Sequence, residues 1–117
     1  MTSEPASAAA SACLVLTTAA SPEDAQRLAH SMVDARLAAC VQLLPQMTSV
    51  YRWQGKVEQA SEVLMLFKTT RQRLPQLEAK LHELHPYELP EFLVLDAAAS
   101  PGFLAWIAQC VPPADEK

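Results

Sequence analysis

Glycine is scarce in this sequence, at only two of its 117 residues. Loops that cradle phosphate groups need several closely spaced glycines, so nucleotide-binding motifs of that kind are excluded. The chain also lacks any run of Lys or Arg, and its formal net charge is -4. A nucleic-acid-binding surface requires a basic stripe, so we expect no nucleic-acid partner. No apolar stretch approaches the roughly 20 residues that cross a bilayer, and we expect no membrane partner.

Cysteine is rare as well, with Cys13, Cys40 and Cys110 at wide spacings and no CxxC pair. This pattern is neither a disulfide framework nor a zinc motif. The opening stretch MTSEPASAAASA lacks the basic segment and the long apolar segment of a secretory signal. We therefore predict a disordered tail over residues 1–11, one domain over residues 12–112, a polar tail over residues 113–117 and a cytoplasmic location.

The first half of the domain shows a strand, a helix and a long hairpin. CLVLTT at 13–18 indicates a buried strand, and Ser21 before Pro22 marks the start of an amphipathic helix of about 17 residues. Segments 40–53 and 56–70 are rich in strand-forming residues and flank a turn signal at Gln54-Gly55. Pro45 cannot donate a ladder hydrogen bond, which predicts a bulge in the first of these two strands.

The second half repeats the pattern of helix and strand. Leucines at helical spacing predict a second helix that ends near Leu84, because Pro86 disfavours helical geometry at His85. EFLVLDAAA predicts a fourth strand, and Ser100 caps a short C-terminal helix. The order βαββαβ predicts an α+β, ferredoxin-like antiparallel sheet with two helices on one face.

The strands predict that the subunit does not act alone. CLVL, VLMLF and FLVL are continuous apolar runs, which indicates burial on both faces of the sheet. Two helices cover one face, and the short last helix is too small to cover the other. A strand of about 13 residues is also roughly 43 Å long, whereas a domain of this size has a diameter of about 35 Å. We therefore expect a closed homo-oligomer.

The segment ELHPYELPE at 83–91 concentrates the polar chemistry of the chain. His85, Glu88 and Glu91 carry donor atoms that suit zinc or copper, although their spacing matches no standard zinc motif. A rigid helix-to-strand turn with a hydrogen-bonded histidine explains the same residues, and so does one wall of a small-molecule pocket. All three interpretations stay open at this point.

Two further segments offer ligand contacts. Tyr51 and Trp53 lie on the same side of the predicted hairpin, where they either pack against a partner strand or form a stacking platform. Lys68 ends a buried strand, where it either extends to solvent or pairs with an anion or a carboxylate such as Glu88 or Glu91. No nucleophile stands beside a base in any known motif, so we expect a protein that is not an enzyme.

Four segments together resemble one known family. LAACVQLLP, TSVYRWQGKVE, EVLMLFKTT and LHELHPYELPEFLVL are similar to the CutA divalent-cation tolerance proteins, in order and over about residues 13–110. The resemblance implies a cytoplasmic homotrimer with a role in the response to metal ions. It also implies a likeness to the trimers of PII-type signalling proteins, which hold small ligands between subunits; a small-ligand or signalling scaffold without a metal role is therefore the alternative.

The resemblance also assigns roles to individual residues. It implies copper binding by a cysteine in the first strand and by two histidines before Pro-Tyr, but those positions hold Thr17, Leu84 and His85 here. We therefore predict that copper or another divalent cation binds weakly, through His85 and Glu91. The motif positions matched by Trp53, Lys68, Tyr87 and Glu88 are predicted to bind a ligand at a cleft between subunits.

Overall fold

A computed structural model describes residues 11–113 of the chain. Its elements are strand β1 (Ala12–Ala19), helix α1 (Pro22–Asp34), strands β2 (Cys40–Trp53) and β3 (Lys56–Thr70), a 3-10 turn (Arg71–Arg73), helix α2 (Leu74–Leu84), strand β4 (Leu93–Ala97) and helix α3 (Pro101–Cys110). Apart from Ser11 and Pro113, the two predicted tails lie outside the described residues. No helix within the described residues is long and apolar enough to cross a membrane.

The four strands form one antiparallel sheet in the order β2-β3-β1-β4. This confirms the predicted ferredoxin-like α+β fold. The helix-facing side of the sheet carries the core, in which Val15, Met65 and Phe67 pack with Leu28 of α1 and Leu77 of α2. All five side chains are at most 1% exposed. The core therefore lies between the sheet and the two main helices.

Local sequence signals set the boundaries of the elements. The Ser21 hydroxyl accepts a hydrogen bond of 3.1 Å from the backbone N–H of Asp24 and caps α1, as predicted. The prediction of about 17 residues for this helix was wrong: it ends at Asp34, because Arg36 adopts a left-handed φ of 60°. Strand β4 is also shorter than predicted and begins at Leu93.

The hairpin of β2 and β3 extends beyond the body of the domain. The register shifts between Leu44 and Met47, which confirms the predicted bulge at Pro45. Gln54 and Gly55 form the turn with φ values of 51° and 82°. The subunit measures 51 × 28 × 23 Å, and its radius of gyration of 15.4 Å exceeds the value of about 13 Å for a compact chain of this length.

The second side of the sheet is lined with leucine, as the apolar runs predicted. Alternation along the strands and the register of their pairs place seven leucines on this side, which we call the leucine face: Leu14, Leu16, Leu44, Leu64, Leu66, Leu93 and Leu95. Leu44, Leu93 and Leu95 are 47%, 53% and 47% exposed. Helix α3 packs over one end of the same side, where Ile107 contacts Ala12 and Ala39.

Candidate functional site

His85 is a structural anchor at the end of α2. It is only 6% exposed, and its Nε2 lies 2.7 Å from the carbonyl oxygen of Thr18. Because a carbonyl oxygen only accepts, Nε2 carries the hydrogen and donates it. The other nitrogen, Nδ1, accepts a hydrogen bond of 3.1 Å from the backbone N–H of Tyr87. Both ring nitrogens are therefore used to hold the turn after α2 against the end of β1.

A cleft of about 800 Å³ opens beside this anchored turn, between the turn and the outer half of the hairpin. Its walls carry three aromatic and three acidic side chains: Tyr51, Trp53, Tyr87, Glu62, Glu88 and Glu91. No lysine, arginine or histidine is among the residues that line it, in the part of the chain that the structure describes. The cleft therefore combines ring faces with unbalanced negative charge.

Glu62 and Tyr87 form the floor of the cleft. The Tyr87 hydroxyl donates a hydrogen bond of 2.6 Å to Oε2 of Glu62, and the Glu62 residue is only 8% exposed. Burial raises the pKa of the Tyr87 hydroxyl above its usual range, and the hydrogen bond to Glu62 raises it further. Tyr87 therefore stays protonated and acts as a fixed donor to the carboxylate.

Negative charge accumulates around Glu62. Partial desolvation raises the pKa of the Glu91 carboxyl, and repulsion from Glu62 raises it further. Both effects disfavour the ionised form of Glu91, since the described residues that line the cleft include no basic side chain to balance it. A bound cation would relieve this repulsion, so the electrostatics of the cleft favour cationic over anionic ligands.

The rings of His85 and Tyr87 also contact each other. Their centroids are 4.6 Å apart with an interplanar angle of 54°. Because His85 is itself fixed by two hydrogen bonds, it holds the Tyr87 ring in place along the wall. His85 therefore supports the cleft through its contact with Tyr87 and does not line it.

The structure brings most of the predicted ligand-binding residues together. Trp53, Tyr87, Glu88 and Glu91 share the one cleft. Lys68 does not: it lies six residues beyond Glu62 on β3, roughly 20 Å along the strand.

Lys68 lies on the side of the sheet that carries the leucine face, where its Nζ donates to the side-chain oxygen of Gln42. The interpretation that Lys68 pairs with Glu88 or Glu91 is therefore wrong within the subunit. Its place in an intersubunit cleft stays a prediction.

Sequence reasoning missed Glu62, although a signal for it was present. Alternation along β3 puts Glu62 on the same side of the sheet as Leu64 and Leu66. An acidic residue in line with a leucine row is unusual and could have been singled out. The same alternation places Tyr51 and Trp53 on this side, so the cleft is continuous with the leucine face.

Metal-binding donors do not converge within the part of the chain that the structure describes. Across residues 11–113, no three His, Cys, Asp or Glu side chains are grouped so that they could hold a metal ion. Cys13 is 1% exposed, and burial raises the pKa of its thiol. Thr17, at the position where the family resemblance implies a cysteine ligand, is fully buried on the helix-facing side. The donors available at the cleft are oxygen atoms of carboxylates.

Comparisons with known proteins agree with this fold. Residues 13–110 match the family model described as "CutA1 divalent ion tolerance protein". The chain is 42% identical over 97 residues to the Divalent-cation tolerance protein CutA of Thermus thermophilus, an alignment that covers 82% of this chain and 94% of the relative.

Two further comparisons extend the match. The chain is 44% identical over 86 residues to mouse Protein CutA, which covers 73% of this chain but only 49% of that longer protein. The solved structure of the Thermus thermophilus divalent cation tolerance protein superposes with a TM-score of 0.84 at 40% identity, over 86% of this chain and 99% of that one.

Proposed function

The chain belongs to the CutA1 divalent ion tolerance family, and on that premise we propose that it acts as a closed homotrimer that binds divalent cations weakly. The role is one of binding rather than catalysis. We place it in the cytoplasm, which the three free cysteines support, because small extracellular domains usually pair theirs.

The leucine face supports the trimer. Three of its seven leucines are close to half exposed in the isolated subunit, and contiguous apolar surface of this kind marks an interface between proteins. The projecting hairpin gives each subunit an arm that can reach a neighbour. Closed rotational symmetry would cover both features at once, without leaving a strand edge for further association.

The acidic cleft is the observation that carries cation binding. Glu62, Glu88 and Glu91 line one concave site, and no basic side chain is among the residues of 11–113 that line it. Carboxylate oxygens suit hard cations such as Mg²⁺ and Mn²⁺, whereas copper prefers nitrogen and sulfur donors. His85 would have to release one of its two hydrogen bonds to act as a ligand. We therefore propose weak binding through Glu91 and its neighbours, with His85 recruited only when a hydrogen bond opens.

Isothermal titration with Cu²⁺, Zn²⁺ and Mn²⁺ tests this proposal. We expect weak, saturable heats that fall strongly in the double variant Glu88→Gln/Glu91→Gln. The double variant Glu78→Gln/Glu83→Gln on α2 removes the same charge outside the cleft and is the matched control. Equal heats in the two double variants would overturn the assignment to the cleft. Heats in His85→Ala that equal those of the unmodified protein would exclude His85 as a ligand.

A second candidate is a small-ligand or signalling scaffold without a metal role. The size of the cleft favours it, because about 800 Å³ lies within the range of sites for small organic ligands. Thermal-shift screening with nucleotides and organic acids tests it. Stabilisation that is abolished by Lys68→Ala and unaffected by a chelator would support a trimer cleft that includes Lys68.

A further inference from the structure

We propose that the cleft binds an extended organic cation of the linear polyamine class. The ammonium groups would pair with Glu62, Glu88 and Glu91, and the methylene segments would lie on Tyr51 and Trp53. This inference rests on the cleft being a binding site in the assembled protein, as proposed above. It does not depend on metal binding.

The size of the cleft and the arrangement of its acids set the class of cation. A volume of about 800 Å³ is typical of sites for small molecules and far exceeds what one metal ion fills. Within residues 11–113 the carboxylates also fail to gather into a three-ligand metal group. Carboxylates that are spread along the walls of the cleft match a linear polyamine, whose ammonium groups are spread along its chain.

Glu62 supplies a largely buried carboxylate that has no basic partner among the described residues. Its residue is 8% exposed, and the ion pairs among the described residues, Arg27–Asp24 and Arg71–Asp96, lie elsewhere. The hydrogen bond from Tyr87 satisfies Oε2, while Oε1 is not among the fully buried polar atoms that lack a partner and so stays accessible to a donor in the cleft. A largely buried carboxylate without a counter-charge is disfavoured. An ammonium group would supply both the missing charge and a donor for Oε1.

The aromatic side chains of the cleft favour an organic cation over a metal ion. Tyr51 and Trp53 are 43% and 38% exposed, so parts of their rings are open to a ligand. An alkylammonium group over such a ring gains roughly 0.5–2 kcal/mol from cation–π attraction, and its methylene groups pack on the ring. Tyr87 is already held by His85, so this side of the cleft is ordered before binding.

Titration of spermidine into the full-length protein, stripped of metal with EDTA and then exchanged into EDTA-free buffer, tests the inference. A Trp106→Phe background leaves Trp53 as the only tryptophan, so its fluorescence reports on the cleft. We expect a saturable change with spermidine. We expect no change with 1,8-octanediol, which is neutral, and affinity at least tenfold weaker for tetramethylammonium and for Mg²⁺ at matched ionic strength. A response to Mg²⁺ as strong as that to spermidine would show charge screening only and overturn the inference.

Substitutions assign the binding to the carboxylates. Glu62→Gln should weaken spermidine binding at least tenfold, and the exposed Glu88→Gln gives a second readout if Glu62→Gln does not fold. Glu83→Gln, on α2 outside the cleft, is the control and should leave it unchanged. Unchanged binding in both cleft variants would contradict the proposal. If the unmodified protein gave no heat with Cu²⁺ or Mn²⁺ but still bound spermidine, weak metal binding would be wrong and this inference would stand.

Discussion

The imidazole of His85 donates a hydrogen bond of 2.7 Å to the backbone oxygen of Thr18, 67 positions away in sequence. This bond ties the turn after α2 to the end of β1. The same turn carries Tyr87, Glu88 and Glu91, which line the cleft. The segment HPYELPE is therefore a rigid connection first, and its rigidity places one wall of a binding site.

The tautomer of His85 is the first prediction. The carbonyl of Thr18 and the N–H of Tyr87 together require hydrogen on Nε2 and a lone pair on Nδ1. Nitrogen-15 NMR of the imidazole should show the Nε2–H tautomer. The Nδ1–H form would contradict the geometry of the anchor. The exposed His82 serves as an internal reference for a ring in solvent.

Removal of the Tyr87 hydroxyl should destabilise the protein. Tyr87→Phe leaves the nearly buried Glu62 carboxylate without its hydrogen bond, which costs about 1–3 kcal/mol of folding free energy. Chemical denaturation at fixed protein concentration measures the loss. Tyr51→Phe removes a hydroxyl from an exposed ring in the same cleft and is the control. If Tyr87→Phe lost no more free energy of unfolding than Tyr51→Phe, the hydrogen bond between Tyr87 and Glu62 would not stabilise the fold.

Glu91 should make stability depend on pH. Its pKa is raised in the folded state by partial desolvation and by Glu62. Its stabilising contribution is therefore complete below the unfolded pKa of about 4.3 and is lost as pH rises through the folded value. Glu91→Gln should raise the melting temperature at pH 7 but not at pH 3.5. An equal shift at both pH values would contradict the assignment.

The leucine face should be necessary for assembly. Leu95 is 47% exposed in the subunit, so Leu95→Lys costs little within the fold but buries an unpaired charge in the proposed interface. We expect the variant to dissociate at low micromolar concentration while its circular dichroism stays native. Val33→Lys, at a 41% exposed apolar position on α1, is the control and should remain assembled. An assembled Leu95→Lys variant would place the interface elsewhere.

Most of the fold was predictable because local signals agree with tertiary packing. Ser21 and Ser100 cap the helices that they were predicted to cap, and Pro45 sits at the bulge of β2. The end of α1 was not predictable, because its stop is a left-handed Arg36 rather than a glycine. Nothing in RLAA signals that conformation.

The candidate site was predictable only in part. The HPYELPE and YRWQGK segments indicated Tyr87, Glu91 and Trp53, which the fold brings to one cleft. The cleft itself was not predictable because it forms between elements distant in sequence, although Glu62 in line with Leu64 and Leu66 was a signal that could have been used. Lys68 was grouped with these residues although it lies toward the other end of β3.

One subunit is too small to cover its own leucine face. Sedimentation velocity of the unmodified chain at low micromolar concentration tests this most directly. We expect a single species near three times the subunit mass of 12.8 kDa. A monodisperse particle of 12.8 kDa that remains soluble and folded would contradict it.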